Sequence, residues 1–234
     1  LLAADEEVLV PSPDYPLWTA AVNLNRGRAV HYPCPPERGF IPNPDEIESL
    51  ITKRTRAIVV INPNNPTGAV YPRRVLEAIA RIAEKYHLVV LADEIYDQMT
   101  YDGAEFVPMA TLVQHTLCGT LSGLSKVYRA CGYRVGWAAF SGDVEHSREY
   151  LSALELLSSL RLCSNVAGQW AVQTALGGYQ SIRELVTPGG RLYESRKAIV
   201  DAVGRSRFLY LTPPMGAMYA FVGVQTEALP DFDD

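Results

Sequence analysis

Two short stretches limit what this chain can fold into more than any other feature. RAIVVI (56–61) and LVVLA (88–92) show no alternation of polar and apolar residues. A strand with one wet face alternates with period two, so a strand apolar throughout must be covered on both faces. Between the two lies an amphipathic segment (72–86) with Val75, Leu76, Ile79, Ile82 and Ala83 on one face, the pattern of a helix packed on a sheet. Strand–helix–strand units of this kind build mainly parallel sheets with helices on both sides. In such sheets ligands gather at the carboxyl ends of the strands, so residues just after each strand carry the most information.

The rest of the chain extends the pattern. Residues 7–10 read as a strand, 16–26 as a helix stopped by Gly27, and 28–32 as a second strand followed by a Pro/Gly loop (34–40). Asn43-Pro44-Asp45-Glu46 is a helix start, with a capping side chain, proline in the first turn and acids at the positive end of the helix dipole. Further strands are expected at 116–121 and 134–140, and helix after Asp143 and from Gly190 toward Val203. Residues 208–211 and 217–222 read as strands of a smaller unit. The expected organisation is an α/β domain over 1–185, followed by the start of a small α+β domain over 186–234. The chain of 234 residues opens at Leu1 without a methionine, in what reads as a helix end, and closes on the acidic stretch 231–234. Both ends suggest a piece of a longer protein.

Composition excludes several function classes. The formal net charge is -5 with no Lys/Arg-rich run, which argues against nucleic acid as a partner. No apolar run is long enough to span a bilayer, and no signal peptide is expected. The four cysteines (Cys34, Cys118, Cys131, Cys163) form no CxxC pair, and the four histidines lack ligand spacing, so no metal site is expected. Four separate thiols suit a reducing, cytoplasmic setting.

Three strand ends carry unusual residues. After RAIVVI comes Asn62-Pro63-Asn64-Asn65-Pro66-Thr67-Gly68, after LVVLA comes Asp93-Glu94-Ile95-Tyr96, and after the 116–121 strand comes Ser122-Gly123-Leu124-Ser125-Lys126, followed by Gly132-Tyr133-Arg134. Each alone has an ordinary explanation: a turn, a helix cap, a solvated lysine. The asparagine turn is the hardest to dismiss, because two Asn-Pro bonds in five residues restrict the backbone path.

Together and in this order, the four motifs resemble the fold-type I, class I/II aminotransferases, over residues 8 to about 222. SGLSKVYRACGYRVGW (122–137) is most similar to the alanine aminotransferase branch. The resemblance implies the cofactor pyridoxal 5'-phosphate and a homodimer. It also implies roles by position. Lys126 corresponds to the lysine that forms the imine with the cofactor, then moves a proton between the substrate's α-carbon and the cofactor. A buried amine is nucleophilic near neutral pH. Asp93 corresponds to the partner of the pyridine nitrogen, Tyr96 and Asn65 to the groups that reach the ring's phenolic oxygen, and Asn65 also to a substrate-carboxylate contact. Arg134 corresponds to the phosphate-binding arginine, and Tyr15 to the aromatic ring stacked on the cofactor.

The chain also departs from the pattern. Many relatives carry a phosphate-binding serine three residues before the lysine, where this chain has Gly123; Ser122 or Ser125 is the expected substitute. The phosphate-cradling helix start and the arginine that clamps the substrate's α-carboxylate fall upstream of Leu1 and downstream of Asp234, so these residues alone are expected to turn over little substrate. Gly68 and Gly132 are assigned to backbone geometry. Trp137, Trp170 and the leucine stripe 151–162 are assigned to core or interface, and Tyr219 to packing. The expected reaction exchanges an amino group between an amino acid, preferably alanine, and a 2-oxo acid, preferably 2-oxoglutarate. Alternatives are an aspartate or aromatic aminotransferase, a pyridoxal-phosphate C–S lyase, or the effector domain of an aminotransferase-like transcription regulator.

Overall fold

The computed structural model describes residues 2–228. Leu1 and the acidic end at 231–234, on which two of the expectations above fall, lie outside that range. Among the described residues no helix is long and apolar enough to cross a membrane.

Six strands form one sheet: β1 (Glu7–Ser12), β2 (Arg28–Pro33), β3 (Thr55–Ile61), β4 (Val89–Asp93), β5 (Leu117–Gly123) and β6 (Gly136–Gly142), in the order β2-β1-β3-β4-β5-β6. All neighbours run parallel except β5 and β6. The unbroken apolar strands sit in the middle. Leu9, Ile58, Val60 and Val90 pack on one face beneath α2 (Pro44–Ser49) and α3 (Arg73–Lys85), through Ile47, Leu76 and Ile79. Val8, Val10, Ala57, Val59 and Ile61 fill the other face, toward Val22 of α1 (Leu17–Leu24). At about 25 cal/mol per Å² of buried apolar surface, this double cover is what holds the parallel layer together.

Local signals operate largely as read. The Asn43 side chain accepts from the Asp45 N–H at 3.1 Å, and Pro44 opens α2. The stop of α1 works differently from expectation. Arg26, not Gly27, takes the left-handed conformation (φ 61°), and Gly27 sits in a tight spot where a methyl would crowd Leu2 Cδ1 at 2.8 Å and the Glu6 carbonyl oxygen at 3.2 Å.

Beyond β6 come α4 (Arg148–Leu160), α5 (Val166–Gly177), α6 (Ile182–Leu185) and α7 (Arg191–Gly204), then a separate two-stranded sheet of β7 (Leu209–Leu211) and β8 (Val222–Val224). Here the sequence reading needs correction. The strand expected at 217–222 begins only at Val222, because Ala217 adopts a left-handed conformation (φ 57°) and residues 215–217 are tied to loops of the large sheet. The strand expected from Arg134 begins at Gly136, because Arg134 is left-handed (φ 53°) at the end of a 3-10 turn, Cys131–Tyr133. Trp170 and Leu160 are not core: they are 77% and 73% exposed.

Candidate active site

The connections leaving the sheet define where a ligand can sit. From β1 the chain moves outward to β2, then returns to β3 and proceeds the other way through β4 and β5. The carboxyl ends of β1 and β3 therefore flank a topological switch point. A cleft of about 330 Å³ opens there. It is lined by Tyr15, Asn65, Asp93, Tyr96, Ser122, Lys126 and Arg134, the seven residues singled out in the sequence, together with Ser125, Cys131 and Tyr219. That volume lies in the small-molecule range of roughly 300–1,000 Å³.

The turn after β3 explains which asparagine faces the cleft. Asn62 Oδ1 accepts from the Tyr71 N–H at 2.9 Å, and Asn64 Oδ1 accepts from the Thr67 N–H and hydroxyl at 3.1 and 2.7 Å. Both amide oxygens are engaged within their own loop, and Asn65 is the one that lines the cleft. Gly68, at φ 71°, completes the turn, and its carbonyl accepts from the N–H groups of Met215 and Gly216, each at 2.8 Å. Gly132, by contrast, has open space where a Cβ would stand and no positive φ, so nothing in the backbone demands glycine there.

Asp93 ends β4 at the cleft floor. Burial raises its pKa, opposed by the Trp18 indole, whose Nε1–H donates to Oδ2 at 3.1 Å. Oδ1 receives only a long contact, 3.4 Å, from the Ile95 N–H, which leaves it able to accept from a ligand. The neighbouring Glu94 points to the other side of the chain, where Oε1 accepts from the Met109 N–H at 2.7 Å; burial pushes its pKa up to about 7.

Tyr96 is fully buried apart from its exposure to the cleft, and its hydroxyl lies 2.5 Å from that of Tyr219. Burial raises its pKa, so the phenol keeps its proton. Lys126 is half-buried, with Nζ 6.0 Å from the centre of the Tyr96 ring. Arg134 is exposed at the cleft mouth, and one of its five N–H groups donates to the Cys131 carbonyl at 2.8 Å.

The glycine at the position of a phosphate-binding serine also has a local cause. A Cβ on Gly123 would lie 2.8 Å from the Val135 carbonyl oxygen and 2.9 Å from Gly136 Cα, across the tight start of the β5–β6 pair. A serine would force those strands apart. Ser122 and Ser125, on either side, both reach the cleft.

The residues fit pyridoxal 5'-phosphate: an amine for its aldehyde, a buried carboxylate for its ring nitrogen, hydroxyl and amide donors for its phenolic oxygen, and a guanidinium with hydroxyls for its phosphate. Sequence reading missed two members. Trp18 contacts Asp93 from 75 positions away, and Tyr219 was assigned to packing although it lines the cleft.

Comparison with known proteins points to one family. The chain matches the family model of aminotransferase class I and II over residues 1–232. It is 49% identical to the glutamate-pyruvate aminotransferase AlaA of Escherichia coli, over all of this chain and 58% of that protein. It is 47% identical to an alanine aminotransferase of Mycobacterium tuberculosis, over all of this chain and 54% of that protein. Among solved structures, an aminotransferase from Escherichia coli superimposes with a TM-score of 0.96 at 48% identity, covering all of this chain and 58% of that one. An alanine aminotransferase from Pyrococcus furiosus gives 0.89 at 37% identity, covering 96% of this chain and 56% of that one. The chain thus spans little more than half the length of the relatives it matches. On its motifs, its fold and its cleft, the chain belongs to the class I and II aminotransferases.

Proposed function

We propose that this chain carries the cofactor-binding part of an aminotransferase that exchanges an amino group between alanine and a 2-oxo acid, preferably 2-oxoglutarate. The observation that carries this is the convergence of Lys126, Asp93, Tyr96, Asn65 and Arg134 on one cleft at the switch point of the sheet. The choice of alanine is supported by the relatives' names.

Bound pyridoxal 5'-phosphate supplies an aldehyde and an electron-accepting ring. The protein's side chains supply the rest. Lys126, whose side chain lines the cleft, would supply the amine that holds the cofactor's aldehyde and, when free, would serve as the base for the proton on the substrate's α-carbon. Asp93 Oδ1 would accept from the protonated ring nitrogen, and the Trp18 indole, donating to Oδ2, fixes the carboxylate's orientation and opposes the rise in its pKa. Tyr96 and Asn65 would donate to the phenolic oxygen, and Asn65 would also orient the substrate carboxylate. Arg134, with Ser122 or Ser125, would neutralise the phosphate, and the Tyr15 ring would stack on the cofactor.

We read residues 1–185 as the cofactor-binding domain and 186–234 as the start of a second, smaller one. A homodimer and a cytoplasmic setting follow by analogy with the family and from the free thiols.

Borohydride reduction tests the reading. The full-length protein mixed with pyridoxal 5'-phosphate is expected to show a visible absorption band that reduction bleaches while fixing the cofactor to the peptide bearing Lys126. Lys126→Ala removes the fixation. Alanine with 2-oxoglutarate should then yield pyruvate and glutamate. No band, or fixation elsewhere, refutes the site; pyruvate and ammonia without an acceptor would make the enzyme a lyase.

A further inference from the structure

We infer that Tyr219 is a positioning residue that orients the Tyr96 hydroxyl, so that the proton of Tyr96 points into the cleft. The inference rests on the cofactor reading above and adds a residue to it from the far end of the chain.

The two hydroxyls lie 2.5 Å apart and the rings meet edge to face, with centroids 5.6 Å apart at 84°. Each phenol has one proton to donate. If Tyr219 donates to Tyr96 Oη, the Tyr96 proton is left for a ligand; in the reverse arrangement it is not. A hydroxyl that accepts a hydrogen bond also donates a stronger one, because the chain of dipoles is cooperative in a site of low polarity. Tyr96 itself is held at the end of a tight turn, where its carbonyl accepts from the Met99 N–H at 2.8 Å.

Tyr219 is delivered by a segment anchored to the large sheet's loops rather than to its own small sheet. The Gly68 carbonyl takes the N–H groups of Met215 and Gly216, the Met99 carbonyl takes that of Ala217, and the Tyr101 N–H donates to Met215 O at 2.9 Å. The Tyr101 hydroxyl donates to the Ala217 carbonyl at 2.8 Å. Ala217, buried and left-handed, then turns the chain so that Tyr219 enters the cleft. The strap thus links the asparagine turn carrying Asn65 to the phenol pair, and sets both groups that face the cofactor's phenolic oxygen from one piece of backbone.

A stronger donor to that oxygen draws charge away from the neighbouring imine nitrogen and lowers its affinity for a proton. The test is the pH midpoint of the bound cofactor's visible band, measured in the full-length protein for wild type, Tyr219→Phe, Tyr96→Phe and the double variant. Tyr219→Phe should raise the midpoint by about half a pH unit, a roughly threefold gain in proton affinity. Tyr96→Phe should raise it further, and the double variant should match Tyr96→Phe. Tyr219→Leu, which removes the ring as well, should shift the band as Tyr219→Phe does while lowering the thermal midpoint more. A Tyr219→Phe midpoint within about 0.2 pH units of wild type, a midpoint moved down, or an effect that adds to that of Tyr96→Phe overturns the inference while leaving the cofactor site intact. A wild-type protein with no band overturns the cofactor reading and this one with it.

Discussion

Glu94 is a buried carboxylate beside the residue proposed to hold the cofactor's ring nitrogen, and it faces away from the chemistry. Its pKa, raised by burial to about 7, has a consequence for stability. The folded state holds the proton more tightly than the unfolded chain, whose value is the ordinary 4.5. The folded form therefore binds more protons between those limits, and stability falls as pH rises from about 4.5 to about 7. At about 1.4 kcal/mol per pH unit, the loss is on the order of 3 kcal/mol. Glu94→Gln keeps an acceptor for the Met109 N–H and cannot ionise. The variant should match wild type near pH 4 and exceed it above pH 7, in urea midpoints taken across that range; parallel curves would show that Glu94 does not titrate in the window. At this scale the sequence revealed side chains whose neighbours in the chain mark them. Asp93 and Lys126 stand at strand ends, in motifs whose order is informative. Trp18 and Tyr219 carry no such mark, because their partners lie 75 and 123 positions away and only the fold brings them together.

Among the elements, the turn 62–68 carries the most consequence per residue. It places Asn65 in the cleft and receives the strap 214–219 on the Gly68 carbonyl. A methyl on Gly68 would overlap Pro214 Cβ and stand 3.0 Å from the carbonyl oxygens of Gly216 and Tyr219, at a φ that already disfavours alanine. Gly68→Ala should cost about 2–4 kcal/mol in thermal or urea unfolding, from strain and overpacking combined. It should also weaken cofactor binding at least tenfold, read from the visible band, since Asn65 and Tyr219 would move together. An unchanged affinity would show that the strap and the turn are not coupled. The strands of the large sheet were legible because a doubly covered strand must be apolar throughout, as Ala57 to Ile61 are. The strand misplaced at 217–222 was not, because its apolar residues serve the strap: Ala217 is buried against the loop around Met99 and Tyr101, not in a ladder.

On the scale of the molecule, α4 poses a packing problem. Tyr150, Leu151 and Leu154 are half-buried against the chain, while Ala153, Leu156, Leu157 and Leu160 face outward at i, i+3, i+4 and i+7. An apolar stripe of that spacing is the contact face of a helix, and here none of its members is buried among the described residues. Leu162, Val166 and Trp170, before and at the start of α5, are exposed as well. Each leucine left in water forgoes about 2 kcal/mol, so a patch of this size calls for a partner surface. The proposed homodimer provides one in the second copy; the additional length of the relatives provides another within the same chain. Leu157→Glu in the full-length protein separates them. If the second copy covers α4, sedimentation should show the variant at half the wild-type mass, with a concentration-dependent return at high loading. If the chain's own remaining segments cover it, the mass stays unchanged, and the thermal midpoint falls instead by an amount independent of protein concentration. A variant unchanged in both would mean that the stripe is solvated in the assembled protein, which the cost of exposing three leucines on one helix face argues against.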